Sequence, residues 1–180
     1  KGQTLTTSSD GLHWHTGPKV KNLSAGDTFL AVKSTRPMTG VNHEVLPGYP
    51  AATPDQRYIG VVRWCQPVGR FDGSSGFRPT RRVQVVYTSP DLIHWEKPTR
   101  ILTPDNLDDQ MAQERIEAAL ADGSLKNDHP EDRRCELYTM LVVPYEDMYI
   151  GLLLVFDPSF ELKRIGKSNQ TGPAHVQLVA

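Results

Sequence analysis

The chain has 180 residues, of which 38% are hydrophobic and 23% charged, and its formal net charge is −1. This length is enough for one domain with a substantial core. The near-neutral charge offers no electrostatic basis for binding nucleic acid or an anionic membrane surface, and no apolar run is long enough for a transmembrane helix. We therefore predict a single domain over residues 1–180, without nucleic-acid or membrane partners.

Most of the chain consists of β-prone runs separated by loops rich in proline, glycine and serine. The predicted strands are Thr4–Thr7, Thr28–Lys33, Arg57–Cys65, Arg81–Thr88, Glu136–Val143, Tyr149–Phe156 and Val176–Val179. The segment Leu107–Leu120 differs, because it has helix-forming residues, acidic residues near its start and Gly123 just past its end. We expect a capped helix packed on the outside, within a charged insertion over residues 105–134.

Within that helix, we expect the apolar residues to form one stripe that packs on the β domain, and the charged residues between them to face solvent. The stripe consists of Met111, Ile116, Ala119 and Leu120. The acidic residues Asp105, Asp108 and Asp109 favour capping of the helix over binding of a cation.

One motif occurs twice, as Ser8–Trp14 and again as Ser89–Trp95, with serine, aspartate, histidine and tryptophan in the same register. Serine and aspartate side chains accept backbone N–H groups in turns, and the tryptophans offer large apolar surfaces for packing. His13 and His94 resemble acid–base residues, but their recurrence in both copies favours a shared structural role. A repeat of this kind predicts repeated β units. A β-sandwich is one solution, and the position of the motif after a third strand favours propeller blades.

The run Ser-Pro-Asp-Leu-Ile-His-Trp after a strand resembles the blades of five-bladed β-propeller glycoside hydrolases of families 43 and 32. Further stretches that resemble this group are Gly26–Thr28, Arg57–Arg63, Tyr87–Trp95, Glu136–Met140, Val143–Leu152 and His175–Ala180. The resemblance implies four-stranded antiparallel blades in an incomplete five-bladed β-propeller. The ring would be completed by further blades of the same chain or as a homo-oligomer, because an isolated piece exposes unpaired strand edges.

In such propellers the acids line a central funnel, near the start of the innermost strand of each blade. Glycoside hydrolysis needs two carboxyl groups across the scissile bond, one protonated and one ionised. The resemblance implies Glu136 as the general acid and Asp27 as the tuning carboxylate, with a third acid from another blade. The alternative is that Asp27 is a turn residue and Glu136 a solvated strand end.

The resemblance also suggests residues that could hold a saccharide in the funnel. Arg63 could bind sugar hydroxyls or a carboxylate, and Trp64 and Tyr138 could stack on sugar faces. The alternative for Arg63 is capping of a sheet surface, and for the two aromatic residues it is core packing. The expected partner is therefore a poly- or oligosaccharide substrate.

Other chemistries have little support in the sequence. Gly73–Gly76 lacks the lysine and helix of a phosphate loop, and His43 lacks the second histidine of a helical zinc site. We therefore predict no cofactor and no metal. Cys65 and Cys135 are interpreted as two unrelated buried thiols, and a disulfide in an oxidising compartment is the alternative. A secreted or periplasmic location is favoured over a cytoplasmic one.

Three functions are consistent with these features. The first is a glycoside hydrolase, and the second a non-catalytic propeller for carbohydrate binding or interaction. The third is a structural β domain that completes its ring by oligomerisation.

Overall fold

A computed structural model describes residues 3–24, 28–34, 58–67, 80–126, 128–130, 133–146, 148–159 and 171–180. Within these ranges the chain forms nine strands and one helix. They are β1 (Thr4–Thr7), β2 (His15–Lys19), β3 (Phe29–Lys33), β4 (Tyr58–Pro67), β5 (Thr80–Ser89), β6 (Thr99–Leu102), α1 (Asn106–Ala121), β7 (Glu136–Tyr145), β8 (Met148–Phe156) and β9 (Ala174–Val179). Each predicted strand overlaps an observed one.

The strands form three antiparallel sheets. The first sheet is the hairpin β1–β2, the second has the order β3–β4–β5–β6, and the third has the order β7–β8–β9. Every strand follows its neighbour in the chain, as expected for antiparallel sheets with hairpin connections. The predicted all-β class with one helical insertion is therefore confirmed, and none of the sheets closes on itself among the described strands.

The second sheet is covered on both faces, because successive residues of a strand point to opposite sides. Val61 of β4 faces the third sheet and joins a core cluster that includes Met140 of β7. Val62, the next residue, faces the other way and packs with Trp95, while Leu23 after β2 packs against the same cluster. The third sheet therefore packs on one face of the second sheet, and the segment that follows β2 packs on the other.

The repeated turn has the same hydrogen bonds in both copies. In the first copy, Ser8 Oγ accepts from a backbone N–H three residues later at 2.8 Å, and Asp10 Oδ1 accepts from the backbone N–H of His13 at 2.8 Å. Ser89 and Asp91 repeat these bonds at 2.9 and 2.8 Å. The motif is a turn closed by its own side chains, which supports a structural role for it.

In each turn the histidine ring binds the same aspartate. Nδ1 of His13 lies 2.7 Å from Asp10 Oδ2, and Nδ1 of His94 lies 2.7 Å from Asp91 Oδ2. The ring and backbone hydrogen bonds from His13 hold the pKa of Asp10 well below its usual value, and the backbone and ring bonds from His94 do the same for Asp91. Both aspartates are therefore ionised acceptors near neutral pH.

The two tryptophans of the motif differ in burial. Trp95 is 2% exposed and packs edge-on against Phe29, with the ring centroids 5.3 Å apart. Trp14 is 63% exposed. Among the described residues the first sheet has two strands and the second has four, and Phe29 of the inner strand β3 is one of the residues that cover Trp95.

Helix α1 begins as the sequence predicts and is fixed at both ends. The Asp105 carboxylate accepts backbone N–H groups of the first turn, and Asp108 bonds back to the backbone N–H of Asp105 at 2.9 Å, forming a capping box. Gly123, past the C-terminal end, has φ +79°, a conformation that glycine adopts readily. The predicted capped helix is confirmed.

Two ion pairs attach α1 to the sheets. Arg115 binds the fully buried Asp157, next to the end of β8, through two bonds of 2.6 and 3.1 Å. Asp109 accepts from the guanidinium of Arg81 at 2.6 Å and from the backbone N–H of Cys135 at 2.8 Å. The helix therefore connects β5, the start of β7 and the end of β8.

Two residues differ in burial from what the sequence predicts. Ile116 of the predicted stripe is buried, and Ala119 and Leu120 are partly buried, but Met111 is exposed and Ala112 is buried in its place. Cys135 is buried as expected, but Cys65 is exposed, because it lies near the end of β4, beyond the covered part of the sheet. Both thiols are free.

Candidate functional site

Glu136, the first residue of β7, is 1% exposed and lies between two arginines. Its Oε2 accepts from Nη1 of Arg82 on β5. Its Oε1 accepts from Nη2 and Nε of Arg134 at 2.6 and 2.8 Å. Charge-assisted bonds of this kind are among the stronger hydrogen bonds in proteins. Both carboxylate oxygens are therefore occupied by guanidinium groups.

The two guanidinium groups come from two Arg-Arg pairs, Arg81–Arg82 and Arg133–Arg134. The second arginine of each pair binds Glu136. The first binds an acid elsewhere, Asp109 of α1 for the pair on β5 and Asp128 for the pair before β7, each at 2.6 Å. On β5 this division follows from strand geometry, because neighbouring residues point to opposite faces.

Tyr138 is the extra residue of a β-bulge in β7, since its neighbours on either side pair with consecutive residues of β8. Bulges change the direction of a side chain, and they occur often beside functional sites. The guanidinium carbons of Arg63 and Arg82 lie 4.8 and 5.0 Å from the centroid of the Tyr138 ring. The ring also packs edge-on against Phe156, at 6.1 Å between centroids. These distances are within the range of cation–π and aromatic contacts.

We call Glu136, Arg63, Arg82, Arg134 and Tyr138 the Glu136 cluster. Arg63 lies in the middle of β4 and Arg82 near the start of β5, while the other three members lie directly before or at the start of β7. The cluster therefore lies between the second and third sheets.

Gln84 forms the floor of the Glu136 cluster on the side of the second sheet. It is fully buried and lies opposite Arg63 in the register of β4 and β5. Its Nε2 donates to the carbonyl oxygen of Leu137 at 2.7 Å, which connects the two sheets directly. Its Oε1 is buried and has no hydrogen-bond partner among the described residues.

Three of the five predicted site residues lie together in the cluster: Glu136, Arg63 and Tyr138. Trp64 lies on the opposite face of β4 from Arg63 and is about half exposed, so it is separated from the cluster by the second sheet. Asp27 lies outside the described residues. The sequence therefore predicted three of the five cluster residues, namely Glu136 and Tyr138 of β7 and Arg63 of β4.

Arg82 and Arg134, which hold Glu136 in place, are not among the site residues predicted from the sequence. The two Arg-Arg pairs were a usable signal, because one stands at the start of β5 and the other directly before Cys135 and Glu136. A carboxylate that is buried at the start of a strand needs cationic partners. Each Arg-Arg pair supplies one such arginine, at or just before the start of a strand.

The cluster favours binding over proton transfer by Glu136. A substrate oxygen could reach the Glu136 carboxylate only by displacing one of its arginines, because both carboxylate oxygens are occupied and the side chain is buried. Arginine and tyrosine side chains suit polar, hydroxyl-rich ligands.

The described residues contain no group of three or more acidic, histidine or cysteine side chains arranged to hold a metal. In the same part of the chain, no helix is both long and apolar enough to cross a membrane.

Comparison with protein families, with curated proteins and with solved structures finds no significant match to this chain.

Proposed function

We propose that this chain is part of a five-bladed β-propeller that binds a poly- or oligosaccharide, of the kind found in glycoside hydrolases of families 43 and 32. The support is the succession of sheets: an outer hairpin, a four-stranded sheet, then a three-stranded sheet stacked on it. Propeller blades are four-stranded antiparallel sheets. The repeated turn connects β1 to β2 and β5 to β6, which are the third-to-fourth strand positions of two such blades.

One observation carries the saccharide part of the proposal. The Glu136 cluster lies at the start of β7, the first strand of its sheet, where the resemblance predicts the funnel. Arg63 is only partly buried, and its guanidinium lies over the ring of Tyr138. A guanidinium held against an aromatic ring offers donors in a fixed direction, which suits neighbouring sugar hydroxyls.

Hydrolysis by the whole propeller is the first candidate for its activity. It needs a proton donor and a base or nucleophile across the glycosidic bond. Because Glu136 is ion-paired with Arg82 and Arg134, a role in positioning these arginines explains its contacts better than a role as general acid does. Asp27 and an acid of another blade are then the candidates for proton transfer.

The second candidate is a propeller that binds saccharide without cleaving it. It is favoured by the occupation of both Glu136 oxygens, which leaves the cluster without an available carboxylate. In this case the arginines and Tyr138 are a binding surface only.

A binding experiment with two neighbouring variants tests the proposal. Binding of the chain to a panel of natural glycans is measured by isothermal titration calorimetry. Arg63→Ala should weaken binding by about tenfold, or about 1.4 kcal/mol. The matched control is Trp64→Ala, the adjacent residue on the opposite face, which should leave the affinity unchanged. No binding to any glycan, or equal losses in both variants, would refute the proposal.

Hydrolysis separates the two candidates. Release of nitrophenol from a panel of nitrophenyl glycosides is measured for the wild type and for Asp27→Asn. If the propeller is a hydrolase that uses Asp27, the variant should lose about a hundredfold or more of the activity while it keeps its glycan affinity. Glycan binding without detectable hydrolysis would instead identify the non-catalytic propeller.

A further inference from the structure

Three ion pairs join α1 to other segments within the part of the chain that the structure describes. They are Asp109 with Arg81, Arg115 with Asp157, and Glu117 with Arg133, at 2.6, 2.6 and 3.1 Å. The partner on β5 directly precedes Arg82, and the partner before β7 directly precedes Arg134. Asp157, the partner after β8, directly follows Phe156, whose ring packs edge-on against Tyr138. The helix is therefore bound, on three segments, to the sequence neighbours of residues that form or contact the Glu136 cluster.

Asp109 fixes the backbone directly before Glu136. Its Oδ1 accepts from the backbone N–H of Cys135 at 2.8 Å and from Nη2 of Arg81 at 2.6 Å. Nε of Arg81 in turn donates to the carbonyl oxygen of Cys135 at 2.9 Å. The three groups form a closed ring of hydrogen bonds, in which both backbone polar atoms of Cys135 have a side-chain partner. The peptide units that join Cys135 to Arg134 and to Glu136 are therefore both held in place.

These hydrogen bonds control the directions of the charged side chains in the cluster. The direction in which a side chain leaves the chain is set by the backbone conformation of its residue. The two held peptide units therefore restrict how Arg134 and Glu136 point. Arg81 is 16% exposed, so its bond to Asp109 is better shielded from water than a surface ion pair. A binding site that is held in this way needs little rearrangement when it meets its ligand.

We propose that α1 is the element that positions the saccharide site, and that Asp109 is its principal positioning residue. Asp109 acts through its two hydrogen-bond partners, which are the direct neighbours of Arg82 and Glu136 in the chain. The helical insertion then has a role beyond packing on the β domain. The role toward a saccharide rests on the proposed function, whereas the positioning of Glu136 can be measured without a ligand.

A double-mutant cycle in urea tests the positioning without a ligand. Asp109→Asn keeps the size of the side chain and removes the charge that strengthens both of its hydrogen bonds. Unfolding of the wild type, Asp109→Asn, Glu136→Gln and the double variant is followed by far-UV circular dichroism. If Asp109 holds Glu136 between its arginines, the double variant should shift the urea midpoint by clearly less than the sum of the two single shifts. Glu114→Gln, which changes an exposed acid of the same helix, is the matched control, and its shift should be small and should add to that of Glu136→Gln.

The same variants test the role of Asp109 in binding. Affinity for the panel glycan that the wild type binds most tightly is measured by isothermal titration calorimetry. Asp109→Asn should weaken binding by about 2- to 30-fold, the range for residues that act through a network of contacts. Added to Glu136→Gln, it should cause little further loss, because the carboxylate that Asp109 holds in place is already gone. Glu114→Gln should keep the wild-type affinity, and a residue that only stabilised the fold would likewise leave the affinity of the folded protein unchanged.

Two results would overturn the positioning role. They are additive urea shifts of Asp109→Asn and Glu136→Gln, and a glycan affinity of Asp109→Asn equal to that of the wild type. If the wild type binds no glycan of the panel, the proposed function fails instead, and the urea cycle alone decides whether α1 positions the cluster. Circular dichroism spectra before unfolding check the fold, and Arg81→Lys and Arg134→Lys replace Asp109→Asn and Glu136→Gln where either fails to fold.

Discussion

Replacing Glu136 by glutamine tests the physical basis of the Glu136 cluster. The change keeps the shape of the side chain and removes its charge, which leaves Arg82 and Arg134 facing a neutral amide. The arginine side chains are 13% and 11% exposed, so water compensates little for the loss. The amide would also have to place a donor against one of the two guanidinium groups.

The magnitude follows from the burial of the group. Removal of one partner from a buried ion pair costs about 3–5 kcal/mol, because the other charge is left buried and uncompensated. For a domain of this size, 1 kcal/mol lowers the melting temperature by about 2–4 °C. Glu136→Gln should therefore lower the melting temperature by about 6–20 °C.

Equilibrium unfolding in urea, followed by far-UV circular dichroism, measures this effect, with calorimetry for the melting temperature. Glu114→Gln is the matched control, since Glu114 lies exposed on α1 and its change should stay within about 0.5 kcal/mol. A stability of Glu136→Gln within about 1 kcal/mol of the wild type would refute the argument that this carboxylate is held as a buried, doubly paired anion. The measurement also decides whether lost activity in this variant reflects chemistry or unfolding.

Three further predictions concern other parts of the chain. Burial lowers the pKa of His175 below its ordinary value of 6.5, so the folded state disfavours the protonated ring. The free energy of unfolding should therefore fall as the pH drops below 6.5, and His175→Gln should show a flatter pH profile in urea titrations. Gly60→Ala should cost about 1–3 kcal/mol by urea unfolding, because the added methyl group would lie 2.5 Å from the Phe29 ring. Burial raises the pKa of Cys135 to about 12, so iodoacetamide at pH 8 should label the exposed Cys65 and leave Cys135 unmodified until the protein unfolds. Equal labelling of both thiols in the folded protein would contradict the described packing.

Much of the fold follows from local patterns in the chain. The strands around Val61 and Val85 can be predicted because β-branched residues cluster there. Helix α1 can be predicted because Asp105 and Gly123 mark its ends. The repeated turn is visible because its hydrogen bonds are made among residues close in sequence. Such features depend on neighbouring residues only, so the sequence is sufficient to predict them.

The Glu136 cluster could be predicted only in part. The sequence marks Glu136, Arg63 and Tyr138 as candidates, but their proximity requires the third sheet to pack on the second with β7 beside β4 and β5. Trp64 shows the limit clearly, because its neighbour Arg63 joins the cluster and Trp64 faces the opposite side. The bulge at Tyr138 changes which side chains of β7 point to each face of the sheet, and no local pattern in the sequence predicts it.

The sequence alone predicts most of the strands, the capped helix and the repeated turn, because the residue types that favour each of them are consecutive in the chain. Which charges meet depends instead on how the sheets pack. Arg82 and Arg134 lie far from each other in sequence and converge on Glu136 only when the sheets stack. Stacking also decides which apolar residues are covered, so that Trp95 is buried and Trp14 exposed in the same motif. The physical reason is that burial and ion pairing depend on which faces of the sheets meet, and that is a property of the packed sheets rather than of any single strand.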